Sequence, residues 1–537
     1  MGYDAMEGDR SQHAAQIKRH RPESWPHPRL TRRRAATLIA ALLALAVAGC
    51  TPSLRWMSPP AAGKPAADSP GSTVGWTACQ QEAKALLPKV PANMSYECGT
   101  IQVPQDWANP GNGKTFDLAL TRVRSDKQSN RVGSLVVNPG GPGASGVDLA
   151  VYLSTELPAD VLSRFDIVGF DPRGVGKSDP VKCFTDADED ATFGADPDPV
   201  SQADFDATVA LNRKMAQGCQ AKYGDALRLF STEQAARDMD AVRQAVGDPK
   251  ITYLGYSYGT LLGATYAQLF PKNIRAMVLD GAIDPTANTI ASVESQAQGF
   301  EHAYDEFASW CRDHSCPAGA DPRATLTTLL TAAKTNPAPG PDGRKATGGW
   351  ILTGVAESLY SQEEWPLLGQ ALGDLSNGNP TKIFELADAY AERDPAGHYT
   401  NMFDIFNTVE CDDDNSGESI DQARALQSQW RTKYPIFGTQ MALGLISCAV
   451  WPAKRDPYPT GKAAGAPPIV VIGTTNDPAT PYEQTGKLAA MLGVGQVLTW
   501  QGEGHTAYPQ TECIRQAVDG YLINLTVPAA GLTCPAQ

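Results

Sequence analysis

A serine between two glycines is the strongest sign of chemistry in this chain, in the pentapeptide Gly255-Tyr256-Ser257-Tyr258-Gly259. Residues 250–254 form a β-branched and aromatic run that predicts a strand, and residues 260–270 predict a helix that ends before Pro271. A sharp turn between a strand and a helix lifts a serine hydroxyl above the edge of a sheet, where it can attack a carbonyl carbon. The pattern G-x-S-x-G in this setting therefore predicts that Ser257 is a nucleophile.

A serine nucleophile needs a histidine as base and a carboxylate that orients the base. On a strand–turn–helix of this kind, the acid and then the histidine follow the serine along the chain. Only one histidine, His505, comes after the last predicted strands. Asp477 follows the strand predicted at 469–473 and is the expected acid, and Asp280, just past an earlier predicted strand, is the alternative.

Acyl transfer also requires two backbone N–H groups that stabilise the negative oxygen of the tetrahedral intermediate. One is predicted at Tyr258, the residue after the nucleophile. The other is predicted in the glycine-rich loop that follows a buried-type strand at 134–137. Gly141 is the first candidate in that loop and Gly140 the second.

Strand-like segments alternate with helical ones on both sides of Ser257, and this alternation predicts a mainly parallel sheet with helices on both faces. A helix predicted from residue 231 to about 246 has a capping box made by Ser231 and Gln234. Between residues 284 and 467 helical sequence dominates, which predicts an inserted helical cap over the carboxyl edge of the sheet. The other predicted strands lie at 116–123, 165–170, 276–279 and 497–500.

The amino-terminal region has the pattern of an export signal. Four arginines between positions 29 and 34 precede an apolar run over 35–48, and Cys50 follows two residues later. The run is too short for a typical membrane-spanning helix. This ending resembles the bacterial lipobox, which implies a lipid on Cys50 and attachment to the outer face of the cell membrane, with partial secretion. The alternative is an ordinary secretory signal in which Cys50 is incidental.

These features divide the chain into five segments. The predicted division is a signal peptide at 1–50, a Pro- and Ala-rich tether at 51–73, a catalytic core at 74–285 and 468–537, and a helical cap at 286–467.

Ten cysteines follow Cys50, and an even number in an exported chain predicts disulfides. Their order does not fix the connectivity, and we predict that each pairs with its nearest neighbour along the chain. The sequence contains no C-x-x-C motif, and no histidine lies at zinc-finger spacing from a cysteine pair. Neither a metal site nor a cofactor is therefore predicted. The ten are Cys79, Cys98, Cys183, Cys219, Cys311, Cys316, Cys411, Cys448, Cys513 and Cys534.

Composition limits the choice of partners. The chain is 42% hydrophobic and 19% charged, as expected for a globular protein, and its formal net charge is −14. An acidic protein of this kind is not expected to bind nucleic acid.

Taken together, the motifs resemble the secreted tripeptidyl aminopeptidases of actinobacteria, which are relatives of proline iminopeptidase among the α/β hydrolases. The resemblance extends from about residue 76 to residue 534 and implies an α/β-hydrolase fold with a helical cap. It also implies a serine exopeptidase that removes short peptides from the free N-termini of peptides or proteins, with Ser257, Asp477 and His505 as its triad. The motifs are Asn138–Gly143, Asp171–Gly174, Gly255–Gly259, Asp477–Pro481 and Gly502–His505.

Proline iminopeptidases hold the α-ammonium group of the substrate with carboxylates of the cap. The candidates for this role here are Glu410, Asp412, Asp413 and Asp414, and a solvated acidic loop or a cation site is the alternative. An esterase or lipase on the same scaffold is the alternative function. A binding protein without catalytic activity is a third hypothesis. The presence of the serine, the histidine, the aspartate and the glycine-rich loop argues against it.

Overall fold

The computed structural model of the protein describes residues 73–536. Within that range, ten strands form one sheet and two more form a separate antiparallel pair. The strands are β1 (Thr77–Ala78), β2 (Met94–Pro104), β3 (Thr115–Ser125), β4 (Gly133–Asn138), β5 (Phe165–Phe170), β6 (Ile251–Tyr256), β7 (Ile274–Asp280), β8 (Ala338–Pro339), β9 (Lys345–Ala346), β10 (Ile469–Asn476), β11 (Gly495–Glu503) and β12 (Leu532–Cys534).

The strands of the large sheet follow the order β1-β2-β3-β5-β4-β6-β7-β10-β11-β12. Every pair from β5 to β12 is parallel, whereas β1, β2 and β3 form an antiparallel edge. Because parallel strands end at the same edge of a sheet, the carboxyl ends of β4, β6, β7 and β10 lie side by side. The predicted parallel sheet is confirmed, and the sequence missed β1, β2 and β12.

Helices fill most of the connections between the strands. They are α1 (Gln80–Leu86), α2 (Gly146–Glu156), α3 (Ala159–Arg164), α4 (Asp186–Phe193), α5 (Gln202–Tyr223), α6 (Thr232–Ala245), α7 (Tyr258–Leu269), α8 (Thr289–Asp313), α9 (Pro322–Thr335), α10 (Gly348–Leu359), α11 (Trp365–Ser376), α12 (Thr381–Tyr390), α13 (Met402–Asp413), α14 (Ile420–Lys433), α15 (Gly438–Gly444), α16 (Ile446–Ala449), α17 (Glu483–Leu492) and α18 (Glu512–Asn524).

Each face of the sheet has its own apolar core, because successive side chains of a strand point to opposite faces. Val136 of β4 packs with α6, α7 and α17 on one face. Its neighbours Leu135 and Val137 pack with α2, α3 and α18 on the other face. The central strands are therefore apolar throughout, which is what the sequence shows.

The helical cap is formed by α8 to α16, which lie between β7 and β10. A third apolar core joins several of these helices through Phe300, Trp350 and Trp365. The cap also receives a segment that precedes Ser257, because Phe205 and Val209 of α5 pack with residues of α14 and α15. The predicted first core segment, 74–285, thus includes a helix that packs with the cap.

Five disulfides form among the described residues, and they join the nearest neighbours as predicted. The pairs are Cys79–Cys98, Cys183–Cys219, Cys311–Cys316, Cys411–Cys448 and Cys513–Cys534.

The predicted signal peptide, Cys50 and all but the last residue of the predicted tether lie outside the described residues. Among residues 73–536, no helix combines the length and the apolar character needed to cross a membrane.

The capping box predicted for α6 is wrong, although the helix itself is present. Ser231 Oγ hydrogen-bonds instead to Asp456 Oδ2 at 3.0 Å, and Gln234 Oε1 accepts from the backbone N–H of Trp107. The first N–H of the helix, from Thr232, is donated to Asp413 of the cap. Tertiary contacts have replaced a local cap.

Candidate active site

Ser257 occupies a strained turn between β6 and α7. Its backbone angles are φ 53° and ψ −123°, a region that residues other than glycine rarely occupy. Such strain costs about 1–3 kcal/mol and is typical of functional sites. The Ser257 backbone N–H is donated to the carbonyl of Asp280 at 2.8 Å, which fixes the turn to the end of the adjacent strand β7.

The glycines on either side of the turn are required by close packing. A Cβ atom on Gly255 would lie 2.4 Å from the carbonyl oxygen of Gly259. A Cβ atom on Gly259 would lie 2.8 Å from Oδ1 of Asn138, the last residue of β4. The glycines of the G-x-S-x-G pattern thus allow the turn to pack against itself and against the end of β4, as in the strand–turn–helix predicted from the sequence.

His505 lies in the loop after β11, and its ring contacts the predicted acid. Its Nδ1 atom is 2.9 Å from both carboxylate oxygens of Asp477, whose side chain is completely buried. Asp477 also accepts hydrogen bonds from the backbone N–H groups of Ala479 and Thr480 and from the Thr480 hydroxyl at 3.0 Å. These bonds hold the carboxylate in the orientation in which it meets the imidazole.

Asp280, the alternative acid, binds the loop of His505 and not its ring. Its carboxylate accepts the backbone N–H groups of Ala507 and Tyr508, the latter at 2.7 Å. Burial raises the pKa of Asp280 to about 6, although those N–H groups and the charge of His505 oppose the shift. The two acids therefore have separate roles: Asp477 orients the imidazole and Asp280 anchors the chain that follows it.

The charge balance around His505 favours its protonated form. Burial of the ring lowers its pKa, but the charge and hydrogen bond of Asp477, together with the charge of Asp280, outweigh that effect. The net result is a pKa raised above its ordinary value. A histidine with this property is a stronger base toward the proton of a serine hydroxyl that attacks a substrate.

The second ring nitrogen of His505, Nε2, is turned away from Asp477 and is buried. It makes no hydrogen bond to Ser257 or to any other residue within 73–536. The ring lies close to the serine turn. A Cβ atom on Gly281 would be 3.0 Å from His505 Cε1, and Gly281 directly follows Asp280, whose carbonyl accepts the Ser257 N–H. Hydrogen bonds between a nucleophile and its base are often long in the absence of substrate.

The glycine-rich loop after β4 lies directly against the serine turn. A Cβ atom on Gly140 would be 2.8 Å from the Cβ of Ser257 and 3.1 Å from the backbone nitrogen of Tyr258. The Gly140 N–H is already donated to Asn138 Oδ1 at 3.1 Å. The N–H groups of Gly141 and Tyr258 make no hydrogen bond to another described residue, so both remain candidates for stabilising an oxyanion.

The four acidic cap candidates lie at the end of α13 and differ in environment. Asp412 is buried and accepts from Trp451 Nε1, and Asp413 is buried and accepts both the N–H and the hydroxyl of Thr232. Asp414 forms an ion pair with Arg455. Only Glu410 is exposed. Three of the four carboxylates therefore already have partners within the protein, and their binding of the substrate stays a prediction.

Glu410 combines solvent access with poor solvation. Loss of solvation and the charge of Asp414 raise the pKa of its carboxyl to about 7. Its charge also contributes to raising the pKa of the Tyr258 phenol, after burial and the charge of Asp413. Glu410 is therefore the member of the cluster that is open to solvent and whose charged form is disfavoured.

Two contacts of the candidate site were not predicted from the sequence. Tyr360 of the cap accepts the backbone N–H of His505 at 2.8 Å and packs edge-on against its ring at a centroid distance of 5.3 Å. Thr480 binds Asp477, as described above. Thr480 has a local signal, since it lies three residues after the acid, whereas no pattern in the sequence connects Tyr360 with a loop far along the chain.

The remaining histidines after residue 50 lie elsewhere. His302 bonds to Asn476, His314 stacks on Trp310 and His398 pairs with Asp186. In the part of the chain that the structure describes, no group of three or more His, Cys, Asp or Glu side chains could hold a metal ion.

With the fold and the site in view, the chain can be compared with known proteins. The profile of the α/β hydrolase fold matches residues 133–510, so the chain belongs to the α/β-hydrolase family. Serine protease Hip1 of Mycobacterium tuberculosis is 37% identical over 485 residues, which cover 86% of this chain and 91% of that protein.

Two further relatives carry different names. Carboxylesterase B of Mycobacterium tuberculosis is 37% identical over 501 residues, covering 89% of this chain and 94% of the relative. Tripeptidyl aminopeptidase of Streptomyces lividans is 30% identical over 461 residues, covering 82% and 83%. The resemblance to actinobacterial tripeptidyl aminopeptidases is thus confirmed, and the relatives include proteins named as peptidases and as an esterase.

Proposed function

We propose that the protein is a serine exopeptidase that releases short peptides from free N-termini through an acyl-enzyme. The observation that carries this proposal is the Asp477–His505 pair at 2.9 Å beside a serine held in a strained strand–helix turn. The relatives named serine protease and tripeptidyl aminopeptidase support a peptidase.

Each step of the reaction has a group to perform it. Ser257 Oγ attacks the peptide carbonyl while His505 Nε2 takes its proton, and Asp477 stabilises the imidazolium that forms. The N–H groups of Gly141 and Tyr258 stabilise the oxyanion. His505 then donates the proton to the departing amine, and a water molecule activated by the same nitrogen hydrolyses the acyl-enzyme.

Glu410 is the group we assign to the α-ammonium of the substrate. It is the exposed member of the acidic cluster, and loss of solvation raises the pKa of its carboxyl to about 7. A carboxylate pairs well with an ammonium group where solvent is restricted. This contact would make the enzyme require a free N-terminus.

The decisive experiment compares one peptide with its N-acetylated form. We expect cleavage of the free peptide and a loss of at least about tenfold in kcat/KM on acetylation, because a hydrogen bond to a charged group is worth about 1.5–3 kcal/mol. Glu410→Gln should reduce the rate for the free peptide and leave the slow rate for the acetylated one nearly unchanged. Equal rates for the two peptides would contradict exopeptidase action.

The control for that experiment is Ser257→Ala, which should remove both cleavage and labelling by a fluorophosphonate. Labelling that persists in this variant would show that another residue is the nucleophile.

An esterase is the second candidate function, and the relative named carboxylesterase B favours it. The same triad chemistry acts on esters, so only the substrate differs. Activity on acyl esters together with no cleavage of any free peptide would select this alternative.

We also propose that the exported protein is anchored through a lipid on Cys50, on the basis of the signal pattern described above. Wild-type protein expressed in an actinobacterial host should incorporate labelled palmitate and sediment with membranes. Cys50→Ser should lose the label and move to the soluble fraction. Unchanged labelling in Cys50→Ser would contradict the anchor.

A further inference from the structure

Helix α13 is buried almost all round, with a single open stripe. Eight of its twelve side chains are buried. The four that are not are Met402, Phe403, Phe406 and Glu410. A cap helix enclosed in this way exposes side chains only where it borders a cleft or the surface.

Three of those four side chains share one face of the helix. Met402, Phe406 and Glu410 follow at intervals of four residues, and residues spaced in this way lie above one another on a helix. Phe403 is turned aside and packs on Phe184 and Phe193, with ring centroids 5.8 and 5.1 Å away. The open stripe of α13 therefore consists of Met402, Phe406 and Glu410.

This stripe borders the glycine-rich loop that carries the oxyanion donors. A Cβ atom on Gly143 would lie 2.9 Å from the carbonyl oxygen of Met402, at the start of the stripe. Val409, beside the stripe, lines a small void together with Gly140 and Tyr258. Glu410 lies at the other end of the stripe, about two helical turns from Met402. The stripe thus starts at the active-site loop and runs along α13 to the carboxylate that we assign to the substrate's α-ammonium.

Phe406, between Met402 and Glu410 on this stripe, is an exposed aromatic side chain. It is 38% exposed, and it is the one aromatic residue among the large exposed apolar side chains of residues 73–536. Within the same range its ring pairs with no other aromatic ring, unlike that of Phe403. An exposed phenyl ring beside an oxyanion loop and a carboxylate is positioned to receive an apolar group of the ligand.

We infer that Phe406, with Met402 beside it, forms an apolar subsite that selects a large aliphatic side chain among the N-terminal residues of the substrate. This inference rests on the proposed function, in which Glu410 holds the α-ammonium. Phe406 is one helical turn, about 6 Å, from Glu410 along α13. An extended peptide advances about 3.3–3.6 Å per residue, so the side chain in contact belongs to the first few residues, on the acyl side of the bond that breaks.

The test uses tripeptidyl substrates with one variable position. Three pairs of chromogenic tripeptides, each with Leu or Ala at the first, second or third residue, are cleaved by wild type and by Phe406→Ala. We expect wild type to prefer Leu at one position, and Phe406→Ala to lower that Leu-to-Ala ratio of kcat/KM about tenfold, since one methylene more or less in an apolar pocket changes kcat/KM by about 10–200-fold. Phe406→Leu should retain much of the ratio.

The matched control is Val200→Ala, which truncates another exposed apolar side chain, at 65% exposure, outside the active site. It should leave every ratio unchanged. Phe406→Ala that slows all six substrates by one factor would overturn the inference, because that result describes a structural role. Wild type without preference for Leu at any position would overturn it as well.

Failure of the proposed function would be recognised separately. If wild type cleaves no peptide with a free N-terminus, the exopeptidase proposal falls, and the subsite is then tested with p-nitrophenyl esters of short and long acyl chains. A chain-length preference that Phe406→Ala removes would support the subsite on its own, and an unchanged preference would overturn it.

Discussion

Two aspartates act on the His505 loop, and only one touches the imidazole. Asp477 meets Nδ1 at 2.9 Å, whereas Asp280 binds the N–H groups of Ala507 and Tyr508. We expect Asp477→Asn to lower kcat about 10⁴-fold with little change in folding, because the amide would hold the wrong tautomer of the imidazole. Steady-state kinetics on a free-N-terminus peptide measures this effect.

Asp280→Asn is the matched comparison, since it makes the same change in the neighbouring carboxylate. It should lower kcat far less than Asp477→Asn, because His505 keeps its contact with Asp477 and an amide oxygen at position 280 can still accept part of the backbone bonding. If Asp280→Asn instead abolished the rate while Asp477→Asn left it nearly intact, the assignment of the acid would be reversed.

The pH dependence of the reaction follows from the charges around His505. Its pKa is raised above the ordinary value of 6.5, mainly because the charge and hydrogen bond of Asp477 outweigh the effect of burial. The base works when neutral, so kcat/KM should fall as the pH drops, with a midpoint above 6.5. In Asp477→Asn the residual rate should have its midpoint at lower pH. A midpoint that does not move would mean that His505 is not the group that titrates.

Much of the candidate site could be predicted from the sequence because its signals are local or ordered. The glycines around Ser257 mark the strained turn, and the position of His505 after the last strands marks the base. The sequence favoured Asp477 but kept Asp280 as an alternative, since both lie at the carboxyl ends of parallel strands that are neighbours in the sheet. Tyr360 was not found, because it reaches His505 only after the cap has packed on the core.

At the scale of elements, the loop after β4 and the turn after β6 form one unit. Gly140 has φ +103°, and a Cβ atom there would lie 2.7 Å from the carbonyl oxygen of Tyr256 and 2.8 Å from the Cβ of Ser257. Gly140→Ala should therefore displace the loop from the turn. We expect a loss of about 10²-fold or more in kcat/KM, since misplacing catalytic groups by about 1 Å can cost that much.

Gly378→Ala controls for backbone strain in that experiment. Gly378 also has a positive φ, +82°, but nothing lies within 4 Å of the added Cβ atom. Both variants should lose about 1–2 kcal/mol of stability from the left-handed backbone, and only Gly140→Ala should lose activity. Comparable activity in the two variants would show that the loop does not need to lie against Ser257.

Helix α6 was predicted from the sequence, but the hydrogen bonds at its N-terminus were not. Its helical period and length were correct, but Ser231 and Gln234 bind Asp456 and Trp107 instead of capping the helix. The missing cap is supplied by Asp413, whose carboxylate binds Thr232. Polar side chains that fit a local capping motif can also bind residues far along the chain. Which of the two contacts forms depends on the tertiary structure, which the local sequence does not show.

At the scale of the whole molecule, the helical cap is an insertion between strands β7 and β10 of the large sheet. The alternation of strand and helix predicted the core, and the loss of strand signals after β7 predicted the cap. Packing of α5 with the cap was not predicted, because an amphipathic helix shows that it has an apolar face but not which layer covers that face. The disulfide Cys183–Cys219 holds the beginning and end of that α4–α5 segment together.

Two disulfides within the cap provide a matched test of how crosslinks stabilise the molecule. Cys411–Cys448 joins α13 to α16 across 37 residues, and Cys311–Cys316 closes only 5. All four cysteines are buried to a similar degree, so replacing either pair with alanine should leave similar voids. Loop-closure entropy predicts that the long crosslink stabilises by about 4 kcal/mol and the short one by about 2 kcal/mol.

We therefore expect Cys411→Ala/Cys448→Ala to lower the free energy of unfolding by about 2 kcal/mol more than Cys311→Ala/Cys316→Ala, the difference in loop-closure entropy. Denaturant unfolding of the oxidised proteins measures both values. Because Cys411 lies beside Glu410, the first variant should also raise KM for peptides with a free N-terminus, whereas the second should not. If the two variants lost equal stability and kept equal KM, the long crosslink would neither restrict the unfolded chain nor hold α13 against the active site.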